Sequence, residues 1–85
     1  MVIETTKAFD KQYAKLNKKI KISFKKRVEL FKANPFDKSL RNHSLKGKYL
    51  GFRSINITGD VRTLYTTQGD TIILFGFIGT HSQLY

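Results

Sequence analysis

The sequence predicts an α+β domain, with an N-terminal helical hairpin packed on one face of an antiparallel β-sheet of three to four strands. Apolar residues recur at helical spacing as far as Ala33, and from Tyr49 onward the period falls to two. The two short segments that interrupt the second pattern each contain a glycine, the signature of tight hairpins.

Met1 to Glu4 reads as a short strand or an ordered lead-in. Thr5 or Thr6 serves as an N-cap, because a side-chain oxygen there accepts from the free N–H groups of a first turn. Phe9, Tyr13 and Leu16 then mark one face of a helix of about three turns. Asn17, set among lysines, marks a tight turn. Ile20, Phe24, Val28 and Phe31 define the buried face of a second helix, whose other positions are mostly Lys18, Lys19, Lys21, Lys25, Lys26, Arg27 and Lys32. Asn34-Pro35 ends it, since proline disfavours helical geometry in the residue before it. Phe36 to Lys48 is an irregular link that Phe36, Leu40 and Leu45 are expected to pin to the core. Strands follow at Tyr49 to Ile57, Val61 to Thr67 and Thr71 to Ile78, joined by Thr58-Gly59-Asp60 and Gln68-Gly69-Asp70. There are no internal repeats, and residues 1–85 read as one domain.

Charge is the strongest compositional signal. Sixteen Lys and Arg against six acids give a net charge of +10. Residues 1–33 carry ten bases against three acids, residues 34–57 five against one, and residues 58–85 one against two. The basic surface therefore belongs to the first two thirds, and its field attracts polyanions, either nucleic acid or an acidic protein. A lysine-rich helix face that only keeps the chain solvated is the plainer meaning. There is no cysteine, so neither a disulfide framework nor a thiolate zinc site is expected, and a cytoplasmic protein fits. Met1-Val2-Ile3 gives way at once to Glu4-Thr5-Thr6-Lys7, which argues against a signal peptide or a membrane span.

A three-residue loop at Thr58-Gly59-Asp60 sets Ile57 opposite Val61 and Asn56 opposite Arg62. Ile55, Ile57, Val61 and Thr63 then share the core face, and Ser54, Asn56 and Arg62 the other, exposed one. A slip of one residue would exchange the two sets. The last strand returns beside the start of the second, so His81 lands near Asp60, Arg62 and Asn56. An imidazole beside a carboxylate and a guanidinium suits proton transfer and phosphate binding. The link could carry His43 to the same face, although the pattern does not require it.

The runs Asn42-His43-Ser44-Leu45-Lys46-Gly47, Gly51-Phe52-Arg53-Ser54, Asp60-Val61-Arg62-Thr63-Leu64-Tyr65 and Gly79-Thr80-His81-Ser82-Gln83-Leu84-Tyr85 carry a resemblance. The chain resembles the RelE/ParE superfamily, and within it the YafQ-type toxins of bacterial toxin–antitoxin pairs. The likeness spans nearly the whole chain, including Asn34-Pro35-Phe36-Asp37, and is most specific at Gly-Thr-His. It implies an α+β toxin that cleaves mRNA in the ribosomal A site and is neutralised by a cognate antitoxin that is acidic or has an acidic segment. The active site of that branch falls here on His43, Asp60 and His81, and its closing aromatic on Tyr85. Two positions depart from the branch: Asn56 stands where a histidine is common, and Phe77 where an arginine is. Their loss implies a slower enzyme, with Arg62 or Arg53 left to replace the missing cation.

The implied reaction is metal-independent and needs no cofactor. The ribose 2′-OH attacks the adjacent phosphorus, giving a 2′,3′-cyclic phosphate and a free 5′-OH. His81 is the first candidate for acid or base, against a histidine that merely caps the tail. His43 is a second proton carrier, or packs the link. Asp60 orients or charge-stabilises His81, binds a 2′-OH, or makes only a local turn bond. Arg62 contacts the scissile phosphate or pairs across strands, and the register also allows Arg53 a structural bond to the link. Asn56 bonds substrate or the tail backbone, and Tyr85 stacks on a base or fills a groove. Lys46, Lys48 and the helix lysines bind rRNA backbone as a group. Two distant histidines and six acids lack metal-ligand spacing. The rival functions are a DNA gyrase poison of the same superfamily without nuclease activity, and a plain basic RNA-binding domain.

Overall fold

The computed structural model describes residues 1–85. The strands are β1 (Val2–Thr5), β2 (His43–Ser44), β3 (Arg53–Asn56), β4 (Val61–Gln68) and β5 (Ile72–Thr80), and the helices are α1 (Lys7–Ala14), α2 (Lys18–Ala33) and α3 (His81–Leu84). All five strands form one sheet in the order β1-β5-β4-β3-β2. The sheet is thus wider than the three to four strands expected, because the lead-in and the link each contribute one. It is also not wholly antiparallel, since β1 runs parallel to β5 with Val2 opposite Ile72 and Thr5 opposite Phe75. The β3–β4 register follows the three-residue loop, with Asn56 opposite Arg62.

Thr6 is the N-cap of α1. Its hydroxyl accepts from the Phe9 N–H at 3.1 Å and donates to the Gly76 carbonyl at 2.6 Å, tying the helix start to β5. Asn17 accepts from the Ile20 N–H at 2.9 Å, so the expected turn residue is the cap of α2. Both helices pack on the same sheet face. Phe9, Val28 and Phe31 meet Ile55, Ile57, Val61, Tyr65, Ile73, Phe75 and Ile78 there. Phe75 is the hub, with ring centroids of Phe9, Phe24, Phe31 and Tyr65 between 5.7 and 6.4 Å from its own.

The link is pinned by Leu40, which is fully buried, and Leu45 packs on the opposite face. Phe36 does not join the core; it is 65% exposed and lies beneath the Arg53 guanidinium at 5.3 Å. Asp37 caps a 3₁₀ turn at Lys38–Leu40. The Ser39 hydroxyl and N–H, with the Arg27 charge, hold its carboxyl below the usual carboxylate range.

The first expected strand is shorter than its pattern suggests. Gly47–Tyr49 forms a 3₁₀ turn, and β3 begins only at Arg53. Gly47 (φ 66°), which opens the turn, and Gly51 (φ 94°), which follows it, adopt left-handed conformations that favour glycine. This turn places Tyr49 on the second sheet face in a smaller cluster with Leu64 and Leu84, against which Leu45, Phe52 and Phe77 pack. Ser54 on this face, expected to be exposed, is fully buried, and its hydroxyl has no hydrogen-bond partner. A β-bulge displaces the register beside Leu64 and Tyr65, which face Phe77 and Phe75 and leave Gly76 unpaired. A Cβ at Gly76 would lie 2.7 Å from Phe52 Cε1, so the ring rests directly on the glycine.

Candidate functional site

β5 runs two residues beyond its predicted end, and the chain then folds back over the second face as α3. Glycine at position 79 permits the close approach, since a Cβ there would meet Gln83 Oε1 at 3.0 Å and Leu84 Cδ2 at 3.6 Å. Thr80 begins the helix with a capping box. Its hydroxyl accepts from the Gln83 N–H at 3.2 Å, and Gln83 Oε1 accepts from the Thr80 N–H at 2.8 Å. Leu84 is 1% exposed, and the Tyr49 hydroxyl donates to its carbonyl at 2.6 Å. Above this anchor the rings of His81 and Tyr85 lie 4.7 Å apart, Tyr85 meets Tyr49 at 5.6 Å, and Tyr49 meets Phe77 at 5.4 Å. His81 and Tyr85 stay exposed. Thr80→Ala is expected to cost about 1 kcal/mol within this turn. Hydrogen exchange at Gln83 and Leu84 should accelerate while exchange in β4 stays unchanged.

The same face carries the other candidates. His43 is opposite Ser54, Ser54 opposite Leu64, and Leu64 opposite Phe77, forming one row across the sheet. Asn56, Arg62 and Gly79 form another row, two residues along each strand. By strand alternation His43, Asn56 and Arg62 all project to the side that α3 covers. His81 follows Thr80, which pairs with Val61, so the register sets it at the hairpin tip occupied by Asp60. No hydrogen bond or ion pair joins the side chains of His81, Asp60 and Arg62. Arg62 Nη1 instead donates to the Asp60 backbone carbonyl at 3.0 Å, leaving the carboxylate exposed. Lys46 and Lys48 border the face, with Lys48 Nζ 5.1 Å from the centre of the Tyr49 ring. Glu29–Lys32, at 3.5 Å, is the one ion pair in the protein, so its cationic surface is almost uncompensated.

The family described as "Bacterial toxin of type II toxin-antitoxin system, YafQ" matches residues 1–85. The chain belongs to the YafQ toxin family. It is a toxin of a type II toxin–antitoxin system. Its fold is similar to that of YafQ from Escherichia coli strain BL21(DE3), with 23% identity and a TM-score of 0.83 over 98% of this chain and 96% of that one. YafQ in the E. coli DinJ–YafQ toxin–antitoxin complex gives 23% identity and a TM-score of 0.81, covering 98% of this chain and 94% of that one. A copper-bound mutant toxin from Helicobacter pylori gives 26% identity and a TM-score of 0.74, covering 100% and 99% of the two chains. No curated protein matches the sequence.

In this YafQ-family chain one candidate lies apart from the rest. Arg53 is opposite Tyr65 and so belongs to the helix-covered face, away from His43. Its Nε donates to Asn42 Oδ1 at 2.7 Å. The Asn42 amide in turn donates to the Tyr65 hydroxyl at 2.7 Å and the Pro35 carbonyl at 2.9 Å. Arg53 makes the structural bond to the link that its register allowed. Arg41 and Asn42 escaped the sequence reading as contributors to the site. Arg41 is the one non-glycine residue with positive φ (49°), and its carbonyl lies 2.7 Å from His43 Nδ1. The only sequence signal was Asn42 standing beside His43. A left-handed arginine leaves no compositional trace. No helix is long and apolar enough to cross a membrane.

Proposed function

We propose that this toxin is an endoribonuclease that cleaves mRNA in the ribosomal A site and acts in the cytoplasm. Support comes from one observation: the sheet face that bears His43, Asn56 and Arg62 is also the face over which the tail folds His81 and Tyr85. Attack of a ribose 2′-OH on the adjacent phosphorus needs a proton acceptor, a proton donor and positive charge on the phosphorane. His43 and His81 supply the proton carriers, each worth roughly 10²–10⁴ in rate. Arg62 supplies charge at the phosphate, a contribution on the order of 10²–10³ for a fixed donor. The exposed Asp60 carboxylate accepts from a 2′-OH or steadies a protonated His81 once RNA is bound. Asn56 bonds the substrate, and Tyr85 offers a base-stacking surface beside the imidazole. The products are a 2′,3′-cyclic phosphate and a 5′-OH.

Lys46, Lys48 and the lysines of α2 dock the rRNA backbone. Affinity for ribosomes should accordingly fall with salt, by roughly 10³-fold between about 50 and 200 mM for about six phosphate contacts. Salt-titrated ribosome binding checks this, and a flat dependence would contradict electrostatic docking. The likeness to the DinJ–YafQ complex supports an antitoxin partner, and the field of this chain favours an acidic segment in it. The activity itself is tested by incubating purified toxin with ribosomes programmed with mRNA and analysing product ends. Cyclic phosphate termini support the proposal. Growth inhibition that proceeds without cleavage and survives loss of His81 would favour gyrase poisoning instead.

A further inference from the structure

Arg41, Asn42 and Arg53 lie outside the set of groups that the proposed reaction uses, yet they converge on one member of it. A carbonyl oxygen only accepts, so the 2.7 Å contact between the Arg41 carbonyl and His43 Nδ1 requires the proton to sit on Nδ1. A neutral imidazole has one N–H, and Nε2 is then left as a free acceptor. The arrangement is held from the opposite side of the sheet. The Asn42 side chain uses three hydrogen bonds, from Arg53 Nε and to the Tyr65 hydroxyl and the Pro35 carbonyl, which fix the backbone between residues 41 and 43. Stacking of the Arg53 guanidinium on Phe36 keeps that donor in place. Arg41 meanwhile holds a left-handed conformation (φ 49°, ψ 45°) that costs an L-residue of its size on the order of 1 kcal/mol. Two pairing residues, His43 and Ser44, complete the clamp by joining the segment to β3.

We propose that the Arg41 turn and the Asn42 network are a positioning device that locks His43 as the Nδ1–H tautomer, making its Nε2 the proton acceptor of the site. The inference rests on the nuclease reading only for the use to which Nε2 is put. Under that reading the two histidines take complementary roles. His43 takes the 2′-OH proton, and His81 gives a proton to the departing 5′-oxygen. The bond formed is 2′-O to phosphorus and the bond broken is phosphorus to 5′-O, with one proton received at His43 and one released from His81. Asn42 and Arg41 are positioning residues, since neither side chain needs to touch RNA for the device to operate.

The test is the tautomeric state of His43, read from ring ¹⁵N shifts and long-range ¹H couplings in the intact toxin at a pH where the ring is neutral. The expected result is a predominant Nδ1–H tautomer, the reverse of the preference of a free histidine side chain. Predominance of Nε2–H, or an averaged mixture, would overturn the proposal whatever the cleavage assay shows. If Nδ1–H predominates and ribosomes still show no cleavage, the nuclease reading fails while the assignment of the tautomer stands. Asn42→Ala should release the ring into a mixture and slow cleavage by roughly 10²-fold or more, as misplacing a catalytic tautomer does. Wild-type tautomer and rate in that variant would overturn the role of Asn42. Arg41→Gly, which keeps the carbonyl and accepts the left-handed turn, should preserve the tautomer, and its loss there would overturn the role of the turn. This second variant and the wild-type measurement stand even if Asn42→Ala folds poorly.

Discussion

His81→Ala is expected to lower mRNA cleavage on ribosomes by roughly 10²–10⁴-fold while leaving the fold intact. The imidazole is exposed, and its one ring contact is with Tyr85 at 4.7 Å, so truncation opens no cavity and strands no buried polar group. What disappears is the imidazole proposed to carry a proton at the end of the tail. Circular dichroism and thermal unfolding should match wild type, and one limb of the pH–rate profile should vanish. Retained folding together with retained cleavage would contradict the role given to this residue.

Leu84→Ala should be the most damaging change to the tail itself. Leu84 is 1% exposed between Tyr49 and Leu64 in a cluster separate from the main core. A Leu→Ala truncation at such a site costs about 2–5 kcal/mol, against a typical total of about 5–15 kcal/mol. Because α3 is a single turn held by that side chain, its cap and the Tyr49 hydroxyl, part of the loss should appear as detachment of the tail before the sheet opens. Denaturant titration with hydrogen exchange separates the two. Exchange at Gln83 and Tyr85 should approach that of an unfolded segment, β4 should stay protected, and cleavage should fall with the tail. Unchanged stability and unchanged cleavage would mean that Leu84 does not anchor α3.

Much of this arrangement could be read before any coordinates. The helical hairpin is legible because Phe9, Val28 and Phe31 bury one face of helices whose other faces are lysine-rich, and a 3.6-residue period survives that asymmetry. The pairing of Asn56 with Arg62 follows from loop length alone, and it carries His81 to the Asp60 end of the sheet. The alternation rule failed at Ser54. It assumes that one face is wet, whereas Ser54 and Leu64 are both fully buried there and Leu64 packs with Tyr49 and Leu84. β1 was only half legible, since parallel pairing of Val2 with Ile72 joins segments distant in sequence without a turn to announce it. Arg53 shows another boundary. Parity with Tyr65 fixes its face, but only the position of Asn42 reveals what its guanidinium holds. Register sets Asp60 and His81 at the same end of the sheet, but it does not reveal that Arg62 bonds the turn carbonyl or that the His81 ring lies against Tyr85.

The two-faced sheet gives the fold a division of tasks. One face carries the aromatic core under α1 and α2, and the other carries a small cluster that anchors the tail bearing His81 and Tyr85. Joining them are Asn42 and Arg53, which reach from the helical side to the strand that holds His43. The measurement that most directly probes this arrangement is mapping mRNA 5′ ends in cells after induction, wild type beside His81→Ala. New 5′-OH ends inside translated reading frames for the wild type, absent from an equally expressed and folded variant, are the expected result. Equal end patterns in the two strains, or growth arrest without new ends, would contradict a nuclease built on that face.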